Sequence, residues 1–210
     1  MKRKYLFATL IGIMSVIAVN NQPLAKIQKP TFESWNGAAA ARYGIKYAEE
    51  PNPMYDLFGS DCTNFASQCL YAGNKTMDSN GKNEPKKNGN IIQTSSTWYY
   101  FGDAKKYVCT TSWLRCSGKN NFSNYWDAYR VGTFSTLANV RKNSRLGDVI
   151  QVVDKKGTSV HSLVVTKVSK DEIYLSAHTS NRCNISLSRF SEMASNSWAG
   201  CKYAVFHFHD

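Results

Sequence analysis

Between Gly147 and Thr179 the chain repeats a Val/Ile-rich run followed by a short polar break. Gly147 to Asp154, His161 to Val168 and Glu172 to Thr179 are the runs. Asp154-Lys155-Lys156-Gly157 and Ser169-Lys170-Asp171 separate them with turn chemistry suited to antiparallel hairpins. Ala204 to Phe208 is a candidate closing strand. The first part of the chain carries a different period. Asn36 is placed to cap a helix reaching Glu49, with Ala38, Ala41, Ile45 and Ala48 at spacings of three and four, and Pro51 and Pro53 stop it. A second helix is predicted from Cys62 to Ala72: Phe65, Cys69 and Ala72 form one stripe, Ala66 and Leu70 flank it, and Gly73 ends it. Helices first and strands afterwards predict an α+β fold, with N-terminal helices packed on an antiparallel β-sheet and the Cys62 helix buried on one face.

Between these parts, Asn74 to Ser96 is polar, with five Asn, four Lys and only Met77, Ile91 and Ile92 as apolar anchors; it reads as a long surface loop. Trp98 to Phe134 then holds three of the five Trp and many Tyr and Phe. These rings read as an aromatic core, with a sugar-stacking wall as the alternative. At 42% hydrophobic and 20% charged residues the chain can bury a core, which excludes global disorder, and no fixed repeat suggests a solenoid.

The N-terminus adds a compartment. Lys2, Arg3 and Lys4 precede an uncharged 15-residue run from Tyr5 to Val19, and Asn20-Asn21-Gln22-Pro23 follow. A spanning helix needs roughly 20 apolar residues, so the pattern reads as a secretory leader, cut after Ala18 or Ala25. The expected organisation is a leader over 1–25, a linker over 26–34 and one domain over 35–210, secreted or held in a cell wall, without stable membrane insertion after cleavage. Loss of Lys2, Arg3 and Lys4 leaves 23 basic against 15 acidic residues, a net charge of about +8. Outside a cell the polyanions nearest to such a surface are wall phosphopolymers and lipid headgroups. Nucleic acid is not expected, because no Lys/Arg block in the mature chain exceeds two.

An exported chain can keep disulfides, and the six cysteines are even in number. Cys62 and Cys69 lie seven apart on the expected helix, about 10.5 Å of rise, beyond the roughly 7 Å Cα limit for a bridge. Cys109 with Cys116 and Cys183 with Cys201 are then the expected pairs, with Cys69 a buried thiol. No C-x-x-C or H-x-x-x-H spacing occurs, and His207-Phe208-His209 reads as a strand end, so no metal or organic cofactor is expected.

The sharpest local feature is Phe58-Gly59-Ser60-Asp61-Cys62-Thr63-Asn64-Phe65-Ala66-Ser67-Gln68, which puts a cysteine where a turn becomes a helix. Unpaired N–H groups and the positive helix end there stabilise a thiolate and can hold an oxyanion. A nucleophile also needs a base, and His161 opens the apolar run Val160-His161-Ser162-Leu163-Val164-Val165.

Four runs in fixed order, Asp61 to Gln68 (D-C-T-N-F-A-S-Q), Arg145 to Val149 (R-L-G-D-V), His161 to Val165 (H-S-L-V-V) and Ala177 to Asn181 (A-H-T-S-N), resemble the putative amidase domain family of exported cysteine hydrolases. The likeness runs from about Trp35 to the C-terminus. That family is similar in turn to the NlpC-type and CHAP branches of the papain-like fold. The resemblance implies a papain-like (NlpC/CHAP-like) fold and hydrolysis of amide bonds, most naturally in peptidoglycan peptides, through a thioester. It assigns Cys62 as nucleophile and His161 as general base. Papain-like relatives orient the base with a polar residue on the following strand, where His178, Thr179 and Asn181 fall; an even hairpin loop near Lys170 puts His178 on the face of His161, an odd one Thr179. His178 is preferred, with Asn181 second. Asp61 and Tyr55 are candidates for shaping the oxyanion site. The alternatives are a cysteine peptidase or toxin acting on proteins, and an inactive, disulfide-stabilised wall-binding module.

Overall fold

The computed structural model describes residues 34–208. The expected leader and all but the last residue of the linker lie outside the described residues. Among these residues no helix is long and apolar enough to cross a membrane.

In chain order the elements are α1 (Gly37–Tyr47), α2 (Cys62–Ala72), β1 (Asn90–Ile92), β2 (Tyr100–Gly102), β3 (Tyr107–Thr110), α3 (Thr111–Leu114), α4 (Phe122–Tyr125), β4 (Arg130–Phe134), α5 (Leu137–Lys142), β5 (Val149–Val153), β6 (Ser159–Val168), β7 (Ile173–Ala177), β8 (Arg182–Ser186), α6 (Leu187–Ser197) and β9 (Lys202–Phe206). The fold is α+β. A six-stranded sheet, ordered β4-β9-β5-β6-β7-β8, has every pair antiparallel. α1 and α2 pack together and both lie against β6.

Helix starts and stops follow the predicted chemistry. Asn36 caps α1 by accepting from the Ala39 amide at 2.9 Å. The Gly73 amide donates to the Cys69 and Leu70 carbonyls at 3.0 and 3.1 Å, closing α2 where expected. The two faces of the sheet build two cores. Val149 and Val164 join Phe65, Cys69 and Leu70 of α2 in one; Ile150, Leu163 and Val165 join Leu187, Phe190 and Ala194 of α6 in the other. Alternation along each strand sends neighbouring residues to opposite faces, so one sheet serves both cores.

Two expectations need correction, and the aromatic-core reading of the tryptophans holds over its alternative. The segment 74–96 is not all loop: β1 pairs in parallel with β3, and β2 completes a small three-stranded sheet. Met77 and Ile91, too few to signal a strand by composition, pack against the first core. Trp98, Trp113 and Trp126 are buried there with ring centroids 4.5 Å (Trp98–Trp113) and 5.1 Å (Trp98–Trp126) apart, so these rings are core and form no open wall. The C-terminal strand does not close the sheet at an edge; β9 lies between β4 and β5.

The Leu146-Gly147 turn pins α1 to the sheet. Gly147 has φ of 86°, a Cβ there would stand 2.6 Å from the Gly37 Cα, and a Cβ on Gly37 would stand 2.2 Å from the Leu146 carbonyl oxygen. Both obstacles are backbone, which cannot swing aside. Gly147→Ala combines a left-handed penalty of about 1–2 kcal/mol with overpacking of about 1–3 kcal/mol. A loss of about 3 kcal/mol is expected, read as a lower urea midpoint at unchanged m; an unchanged midpoint would show that the turn can reshape.

Candidate active site

α2 is buried along nearly its whole length although many of its residues are polar; Cys62 to Leu70 are all buried. Buried polar groups must find partners, and here each one does. The Thr63 hydroxyl shares a 2.9 Å hydrogen bond with Ser162, whose hydroxyl accepts from Gln151 Nε2 at 3.0 Å; Ser123 donates in turn to Gln151 Oε1. Asn64 Oδ1 accepts from the Trp113 indole at 2.8 Å, and its Nδ2 donates to Asp61 Oδ1 at 2.9 Å and the Asp56 carbonyl at 3.1 Å. Ser67 donates to the Trp113 carbonyl and accepts from the Trp98 indole, and Gln68 accepts from the Tyr43 hydroxyl at 2.7 Å. The T-N-F-A-S-Q run is therefore the means by which a polar helix is fixed inside the protein with its first residue, Cys62, facing a cleft.

That cleft measures about 850 Å³ and is lined by Cys62, Cys116 and His161, among others, with Phe190 and Trp198 on its apolar side. Cys62 is 5% exposed. A hydrogen bond from the Cys116 thiol is the largest influence on it; burial opposes, and the hydrogen bond and charge of His161 and the Ser162 amide assist, pulling the thiol down to about 4. Cys62 is a thiolate at neutral pH. Cys116 moves the opposite way: donating to Cys62, burial and the Cys62 charge all push its thiol up. The His161 ring lies nearly parallel to Phe190 and Trp198, with centroids 6.0 and 5.8 Å away.

The other residues singled out from sequence sit elsewhere. His178 does not meet His161: its Nδ1 is 2.5 Å from Asp61 Oδ2, its Nε2 is 2.7 Å from the Tyr47 carbonyl, and its ring stacks on Phe65 at 4.2 Å. Register is the reason. Val164 pairs with Ser176, which extends to set 179, not 178, opposite His161, while Ser162 and His178 share the face toward α2. Thr179 accepts from the Asp61 amide at 2.9 Å and lines the cleft. Asn181 Nδ2 donates to the Glu49 carbonyl at 3.1 Å, away from the ring. Asp61 Oδ1 also accepts from the Phe58 amide at 3.1 Å, so Asp61 shapes the turn before Cys62 from behind. Tyr55 packs against Tyr100 and Trp113, with centroids 5.0 and 6.2 Å away.

The expected disulfides are not formed: all six cysteines are free thiols. Cys109 is buried on β3 while Cys116 reaches Cys62 instead. Cys183 contacts the Ile45 carbonyl of α1, and Cys201 lies by Tyr203 of β9, with three strands between β9 and β8 in the sheet. Sequence reasoning missed Cys116, Phe190, Trp198 and the arginines Arg115 and Arg182 that line the cleft; the even cysteine count was the one signal bearing on Cys116, and it pointed to the wrong partner. Among the described residues no group of three or more His, Cys, Asp or Glu is arranged to hold a metal ion.

Comparison with known proteins agrees with the motif reading at the level of the family. An uncharacterized protein of Bacillus subtilis (strain 168), YjcM, is 27% identical over 181 residues, covering 82% of this chain and 37% of that protein. A second from the same organism, the uncharacterized protein YhbB, is 36% identical over 61 residues, covering 29% of this chain and 18% of that protein. The chain thus spans little more than a third of the length of the first relative and under a fifth of the second. No solved structure gives a significant match. Residues 34–202 match the family model described as a putative amidase domain, which takes in the cysteine helix, the histidine strand and the cleft between them; the chain belongs to the putative amidase domain family.

Proposed function

We propose that the protein is an exported cysteine amidase of papain-like architecture that hydrolyses amide bonds in peptidoglycan peptides. The observation that carries the reading is Cys62 at the start of a buried helix, its thiol held low in part by His161, with both side chains at the wall of one open cleft. In the reaction the Cys62 sulfur attacks the amide carbonyl carbon, forming a C–S bond and an oxyanion; the amides of the first turn of α2 are the nearest positive dipole for that charge. His161 protonates the leaving nitrogen as the C–N bond breaks, then takes a proton from the water that cleaves the thioester and returns the Cys62 thiolate. His161 is held for this between its thiolate partner and two aromatic rings, a dyad whose base is positioned by packing.

The cleft lining supports the substrate class. Arg115 and Arg182 line it and no Asp or Glu does. Two guanidinium groups in a cleft with an apolar wall favour peptides that carry free carboxylates, as wall stem peptides do. The net positive charge would hold such an enzyme near anionic wall polymers. The test is mass spectrometry of purified sacculi incubated with the protein under mild reduction, with Cys62→Ser as control. New amine and carboxyl ends that need Cys62 are expected, and their masses identify the bond. Identical products from both proteins would overturn the reading.

A further inference from the structure

We propose that Cys62 and Cys116 form a reversible disulfide that closes the active site under oxidising conditions. Cys116 stands 54 positions from Cys62 in sequence, on the connection between α3 and α4, yet both side chains line the same cleft and each is the largest influence on the other's thiol. No other cysteine lines it. The pairing is independent of which bond the site cuts, or whether it cuts one.

The two thiols are suited to different halves of the exchange. Cys62 is ionised and faces the cleft, so it is the sulfur that attacks a low-molecular-weight disulfide. The external S–S bond breaks, the thiolate that leaves takes the proton carried by His161, and Cys62 is held as a mixed disulfide beside a neutral imidazole. Capping removes Cys62 as hydrogen-bond acceptor, the largest influence that kept the Cys116 thiol protonated, together with its negative charge. Cys116 then loses its proton to His161 and attacks the Cys62 sulfur, and the second external thiol leaves with that proton. The two protein thiols are oxidised, one external disulfide is reduced to two thiols, and an external dithiol reverses both steps. The state that results has no nucleophile and a bridge between cleft walls.

The test treats the purified full-length protein with oxidised glutathione and maps its cysteines by peptide mass spectrometry after native alkylation. The expected products are a Cys62–Cys116 linked peptide, loss of alkylation at both residues and its recovery with dithiothreitol. Cys116→Ser should instead retain glutathione on Cys62, with circular dichroism confirming that the variant is folded. A stable glutathione adduct on wild-type Cys62 beside a free Cys116, a link from Cys116 to another cysteine, or no oxidation at Cys62 would each overturn the proposal. Because the readout is a covalent bond and not turnover, it stands or falls separately from the hydrolase reading.

Discussion

Exchange of Cys62 for alanine is expected to abolish hydrolysis, lowering kcat by a factor on the order of 10⁴ or more, as removal of a covalent nucleophile does. The sharper measurement is the pH profile of Cys62 alkylation in the native wild-type protein. With its thiol held at about 4, Cys62 is thiolate from about pH 5 upward, and reactivity is lost only as pH falls through 4. An ordinary thiol titrates near 8.5 and is about 0.03% ionised at pH 5. Nucleophilicity falls with basicity by about 0.4–0.5 log per pKa unit, so each Cys62 thiolate is roughly a hundredfold weaker than an ordinary one. These factors set opposite outcomes at two pH values: at pH 5 Cys62 should outpace an ordinary thiol about thirtyfold, and at pH 8 it should be slower by a similar factor. A small-molecule thiol supplies the ordinary reference, and peptide mapping resolves Cys62 from the other five cysteines. His161→Ala removes both a hydrogen bond and a positive charge from the thiolate, so the inflection should climb in that variant. An inflection near 8.5 in the wild type would remove the basis for treating Cys62 as the nucleophile.

Much of this site could be read from sequence because its parts are local. A Gly-containing turn, a cysteine and an eleven-residue helix ended by Gly73 are one continuous stretch, and α2 spans the predicted Cys62–Ala72. The His161 run is likewise one strand, β6. What escaped depends on pairings that no local pattern encodes. His178 was preferred as the partner of His161, and the choice rested on hairpin parity. The irregularity between Val165 and Lys167 changes the register within β6 itself, so counting loop residues could not settle the face. Arg182 to Ser186 lacks a clean apolar alternation because all five positions of β8 are only half-buried, and α6 follows with a narrow apolar stripe of Leu187, Phe190 and Ala194. With α6 unseen, the aromatic setting of His161 was unseen as well. Cys116 comes to Cys62 only through the packing of α3 against α2.

The second large effect is expected behind Cys62, at Asp61. Its carboxylate makes three hydrogen bonds while 4% exposed: to the Phe58 amide and the Asn64 side chain through Oδ1, and to His178 through Oδ2. Both ring nitrogens of His178 face oxygens, Asp61 Oδ2 and the Tyr47 carbonyl, so the two residues form a buried pair that ties the end of α1, the start of α2 and the turn after β7. Asp61→Ala strands the ring and two donors without water to replace the lost acceptor. Breaking a buried pair from one side costs about 3–5 kcal/mol, and the variant should unfold at a much lower urea concentration. Asp61→Asn separates charge from hydrogen bonding: its Oδ1 still accepts from Phe58 and Asn64, and its Nδ2 can donate to a neutral His178 that keeps Nε2–H on the Tyr47 carbonyl. One neutral hydrogen bond then replaces a charged one, a change of about 1–2 kcal/mol. Asp61 is not among the groups that lower the Cys62 thiol, so the alkylation inflection of Asp61→Asn should stay near 4. Equal losses in both variants would mean that the charge, not the hydrogen-bond network, holds the turn; a shifted inflection in Asp61→Asn would make Asp61 part of the electrostatics of the nucleophile instead of its support.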